Sequence, residues 1–202
     1  MALWRTNQED LTKKTGTKEK ITVSGVYEVE INEAYLTDST KSNAKGVTLN
    51  FSNDESYGWF SLWYLKGDGQ PNESAEKYLN RLIYLAKLKV DKLKQETKKV
   101  KLFSGDEVDR TFLPELHGKK VGMILEVKKE GDNYNINLKD FYDIGTGKTT
   151  DEIINKTEAT TVAFFKERFA KEEPKQGKKG YPLPYETDKN IITEDDEEEF
   201  PF

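Results

Sequence analysis

From Ile21 to Leu36 the chain reads ITVSGVYEVEINEAYL, apolar and polar residues in alternation, with Ile21, Val23, Tyr27, Val29 and Ile31 on one side. A repeat of two is the period of a strand that buries one face. The pattern recurs at Lys45–Phe51, where Val47, Leu49 and Phe51 alternate with Thr48 and Asn50. A third run, Tyr57–Leu65 (YGWFSLWYL), is apolar on both faces, and Gly67, Asp68, Gly69 and Pro71 break the chain behind it. Three such runs commit the first third of the chain to a sheet.

One amphipathic helix follows. Ser74 is its expected N-cap, and Tyr78, Leu79, Leu82, Ile83 and Ala86 recur at helical spacing over about four turns. Two further strands, Lys119–Lys129 and Tyr134–Tyr142, are joined through Glu130-Gly131-Asp132-Asn133, a tight hairpin signal. Thr149-Thr150-Asp151-Glu152 is a capping box that starts a last helical region, whose Val162, Phe165 and Phe169 stripe serves either packing against the sheet or a homodimer contact. From Lys171 onward, four of the six prolines and a polar composition predict a linker. Three strands, a helix and then a hairpin is the element order of an OB-fold, a small barrel that often holds oligonucleotides across its strand 2–3 face. The expected fold is therefore mainly β: a five-stranded OB-fold barrel with a helix between strands 3 and 4, a C-terminal helix and a flexible acidic tail. Residues 1–170 form the domain, and residues 171–202 the linker and tail.

The 202 residues fit one domain with appendages. The absence of cysteine excludes disulfides, thiol chemistry and cysteine-ligated metal centres, and His117 as the single histidine argues against a histidine-based metal centre or an acylating triad. Gly147-Lys148-Thr149 supplies the end of a phosphate loop, but Tyr142 stands where the first glycine belongs, so a turn before the Thr149 cap is the simpler reading. No carboxylates fall in a spacing that demands a divalent metal. A non-enzyme without cofactor or metal is expected. Met1–Asp10 lacks an apolar signal region and no long apolar run occurs, so the expectation is a cytoplasmic protein without membrane contact.

The net charge of −5 is unevenly spread. Glu194, Asp195, Asp196, Glu197, Glu198 and Glu199 are six consecutive acids, so residues 1–193 carry +1, and Lys87–Lys101 alone carries +5. The basic residues are 28 lysines and only four arginines, Arg5, Arg81, Arg110 and Arg168. Arginine's fork reads guanine edges, whereas lysine's mobile ammonium suits a phosphate chain, so a nucleic-acid ligand would be held with little base preference.

The period of two puts Tyr57, Trp59, Ser61 and Trp63 on one face of the third strand and Phe60, Leu62 and Tyr64 on the other. Phe60 and Leu62, the simpler hydrophobes, are expected inward and the two indoles outward. Exposed indoles stack bases whose faces a duplex would hide, which selects single strands. Tyr57 and Phe141 are secondary stacking candidates, and Lys45, Lys66 and Lys101 are candidates for phosphate contact.

The sequence ends Asp195-Asp196-Glu197-Glu198-Glu199-Phe200-Pro201-Phe202, an acidic run closed by two aromatics around a proline. This resembles the C-terminal tip of bacterial and phage single-stranded DNA-binding proteins, where acidic residues lead to an aliphatic residue, a proline and a terminal phenylalanine; Phe200 takes the aliphatic place. The body is similar to phage-type members in Phe60–Leu85 and Leu116–Val127. The resemblance implies an OB-fold that coats single-stranded DNA in replication, recombination and repair. It also implies a tail that recruits replication proteins (polymerase, helicase or primase), a host-cell cytoplasmic location and no catalysis. A linker from Lys171 to Thr193 spans about 25–29 Å, against a body radius of gyration of about 15–16 Å, so the acids can compete with phosphates for the lysines. The alternative is an adaptor that uses an OB-like barrel and its tail to bind only proteins.

Overall fold

The computed structural model describes residues 18–101 and 106–171; of the expected linker and tail only Lys171 is among them, and it is helical, so the linker beyond it and the tail lie outside the described residues. Within them eight strands form one sheet: β1 (Glu19–Lys20), β2 (Gly25–Asp38), β3 (Lys45–Ser52), β4 (Ser56–Leu65), β5 (Glu96–Lys101), β6 (Glu107–Phe112), β7 (Lys120–Glu130) and β8 (Asn133–Tyr142). Three helices accompany them: α1 (Glu73–Leu85), α2 (Thr150–Ile154) and α3 (Thr161–Lys171). The fold is mainly β, as expected. No helix among the described residues is long and apolar enough to cross a membrane.

The long strand β2 organises the sheet. It pairs antiparallel with β3 on one side, and on the other with β7 through its first half and with β6 at Tyr35–Phe112. β3–β4, β5–β6 and β7–β8 are antiparallel, and β1 runs parallel to β4. Gly58 of β4 lies against β8, where a Cβ would come within 3.1 Å of Ile136 Cδ1. The expected hairpin turn closes β7 onto β8 with Gly131 at φ +59°, a left-handed conformation that costs a glycine little.

The core lies between the inner sheet face and α1. Val29, Ile31 and Ala34 of β2, Val47, Leu49 and Phe51 of β3, and Phe60 and Leu62 of β4 meet Leu82 and Ile83 of α1 and Met123 and Leu125 of β7. A second, smaller cluster covers the outer face of the β2–β7 pair: Ile124 and Tyr142 pack under α3 through Val162, with Val26, Phe165 and Phe169 at its margin. That explains why β7 is buried on both sides through its middle.

Several local expectations change. The N-cap of α1 is Asn72 and not Ser74: Asn72 has extended dihedrals directly after Pro71 and its side chain accepts from the Ala75 N–H, while Ser74 is already helical. Val23 is exposed because it falls in the break between β1 and β2. The last helical region is two helices joined at Glu152, whose carboxylate caps both: Oε2 accepts from the Thr149 N–H and Oε1 from those of Thr160 and Thr161. The expected box is formed in full, with Glu152 N–H donating to Thr149 Oγ1. The β5–β6 hairpin is an addition, built from charged residues without an apolar alternation to announce it.

Candidate nucleic-acid interface

β4 carries Gly58, Phe60 and Leu62 into the core and presents Tyr57, Trp59, Ser61 and Trp63 on the opposite face. Both indoles are half-buried because they lie on the sheet. Trp63 rests over Gly46 of the neighbouring strand, where a Cβ would come within 3.1 Å of the indole. Trp59 stacks on Tyr57, with centroids 6.1 Å apart and planes 13° from parallel. The Lys20 ammonium stands 4.5 Å over the Trp59 ring, and burial there lowers its pKa. Trp59 and Trp63 are four positions apart, so they root about 13 Å apart along the strand. They are therefore not adjacent stacking steps; Ser61, hydrogen-bonded to Thr48 at 2.8 Å, lies between them. Asn50, opposite Trp59, donates to Glu33, which puts one carboxylate on this face.

The same face continues across the sheet. A single register row runs Ser61, Thr48, Tyr35, Phe112 through β4, β3, β2 and β6, and residues directly opposite share a face. Tyr35 meets Phe112 edge to face at 5.9 Å, and the Arg110 guanidinium lies 4.1 Å over the Tyr35 ring. Tyr35, Phe112, Arg110 and Lys20 were not among the expected site residues. Strict alternation from Ile31 would turn Tyr35 inward, but a bulge between Ile31 and Glu33 reverses the phase.

A bulge also corrects Phe141. Alternation from Ile136 and Leu138 would put it outward, but the register slips between Ile124 and Leu125 and Phe141 turns into the core opposite Met123, fully buried. It has no ring face to offer a base. Lys45 opens β3 opposite Leu65, exposed and 3.9 Å from Asp38, and Lys66 is exposed just beyond β4, so both stand at the Trp63 end of the ladder. Lys101 does not join them: it ends β5 opposite Glu107, and β6, β2 and β3 intervene before β4. The tail residues Asp195–Phe202 lie outside the described residues.

His117 and the Gly145–Thr149 segment have structural partners. His117 is exposed and its Nδ1–H donates to the Asn32 carbonyl. Gly145–Thr149 is a closed turn, in which Asp143 accepts from the Thr146 N–H and hydroxyl and Thr149 bridges antiparallel to Tyr142. A surface cavity of about 420 Å³ lies between α1 and α2, lined by residues that include Glu73, Glu76, Arg81, Tyr84 and Asp151. It is on a different part of the molecule from the indoles. Comparison with known proteins finds no family whose sequence pattern matches the chain and no curated protein that matches it.

Proposed function

We propose that this chain binds single-stranded DNA with little sequence preference and without catalysis. We also read β2, β3, β4, β7 and β8 as the five strands of an OB-type barrel, with β5–β6 inserted between the helix and the fourth strand. What supports the barrel reading is the pairing of β2 with both β3 and β7 and the approach of Gly58 to Ile136. The observation that carries the functional reading is the outer face of β4: two tryptophans and a tyrosine turned away from the core, with a lysine over one indole and two lysines at the far end. Aromatic rings accept any base, and cations beside them neutralise the phosphates that follow.

Anisotropy of a labelled oligothymidine tests this. Trp59→Ala and Trp63→Ala should each weaken binding by the worth of one stacked base, about 1–3 kcal/mol, or roughly 5- to 150-fold. Unlabelled duplex should compete poorly. Variants that bind as the parent chain does would refute the interface.

The acidic residues 194–199 suit a second role, as a competitor for the same cations and a recruiter of replication proteins. Truncation after Thr193 should then tighten oligothymidine binding at low salt and have little effect at high salt, where charge competition is screened. Unchanged low-salt affinity would count against it.

A further inference from the structure

The charged hairpin β5–β6 has no place in the five-strand barrel reading, yet it carries Arg110, the only arginine within a strand among the described residues. We propose that Tyr35, Phe112 and Arg110 form a second nucleotide subsite, so that a bound single strand runs from the tryptophans across β3 and β2 onto the hairpin. This rests on the single-strand reading and deepens it by giving the strand its path.

Three observations point there. The outer face is closed on one side, because α3 covers the β2–β7 half through Val162 and Phe165; toward β6, Tyr35 and Phe112 stay partly exposed among the described residues. The row from Ser61 to Phe112 crosses three strand spacings, about 14 Å, and between Ser61 and the Tyr35–Phe112 pair stands only Thr48, a short buried side chain hydrogen-bonded to Ser61, so no bulky residue of the row interrupts the path. At the far end Arg110 is laid flat on Tyr35 with no carboxylate partner among the described residues. A guanidinium stacked on a ring is already ordered, keeps its N–H fork free for a phosphate, and offers a planar face for a base. Lys98, directly opposite Arg110 on β5, extends the positive charge, though Glu96 shares it at 3.0 Å.

The test uses the full chain and oligothymidines graded from about 4 to about 16 nucleotides, the range one such domain covers. In the parent chain affinity should step up once the oligomer is long enough to leave the tryptophans and reach β6. Arg110→Ala should remove that step, weakening the longest oligomers about tenfold and flattening the salt slope by about 0.7, the contribution of one phosphate, while the shortest bind unchanged. Arg110→Lys should restore the slope but not the full affinity. Equal binding by Arg110→Ala and the parent chain at every length overturns the subsite and leaves the tryptophan interface standing. A parent chain that binds no oligothymidine of any length overturns both.

Discussion

Replacing Glu152 by glutamine keeps the side chain's size and removes its charge. In the native chain the carboxylate, only 6% exposed, accepts the backbone N–H groups of Thr149, Thr160 and Thr161 at 2.8 Å each, and the Thr161 hydroxyl at 2.9 Å. Burial alone would raise its pKa. The bonds from Thr161, Thr149 and Thr160 outweigh that and hold it at about 2, against an ordinary 4.5. That gap favours the ionised form by roughly 3 kcal/mol. Glutamine offers one acceptor where two are needed and turns an NH₂ toward other donors. The variant should therefore lose roughly 3 kcal/mol at pH 7, seen as a fall in Tm of about 6–12 °C. A depressed carboxyl contributes stability above its unfolded pKa and loses it as pH falls through the folded one. The difference between parent and variant should thus be full at pH 6–7 and shrink from about pH 4.5 toward pH 2. Denaturant melts across that range measure it. A gap below about 1 kcal/mol at pH 7, or one that does not change with pH, would refute the account of this double cap.

Arg81 bridges helix and sheet, donating to Asp140 at 2.8 Å and to Asp151, with its own side chain buried. Arg81→Met strands the buried Asp140 carboxylate and should cost about 3–5 kcal/mol in denaturant melts. Phe141→Ala should cost a similar 3–5 kcal/mol through the cavity it leaves. Phe141→Leu, a milder change, should leave oligothymidine affinity within about twofold, since a core ring makes no stacking contact; a larger loss would return Phe141 to the interface.

The strands with a buried apolar face were legible because hydrophobic burial prints a period of two on the sequence. Val47, Leu49, Phe51, Phe60 and Leu62 all face inward as their spacing predicts, and Trp59 and Trp63 outward. The failures share one physical origin. A bulge inserts a residue without any compositional mark, and each one reverses the phase beyond it: the bulge in β2 turned Tyr35 out, and the slip between β7 and β8 turned Phe141 in. The β5–β6 hairpin escaped for another reason. ETKKVK and EVDRTF bury little, so hydrogen bonding to each other and to β2 defines them, and neither leaves an apolar alternation. Lys101 belongs to a lysine-rich run, and a run of charge does not report which edge of a sheet it will occupy.

The central claim is that the outer face of β4 stacks unpaired bases, and its most direct measurement is intrinsic tryptophan fluorescence in a Trp4→Phe background, where Trp59 and Trp63 are the only indoles. Titration with unlabelled oligothymidine should quench the emission to saturation, with an affinity that falls as salt rises, and duplex DNA at the same nucleotide concentration should leave it nearly unchanged. Emission that stays constant with the single strand, or that responds equally to duplex, would contradict it.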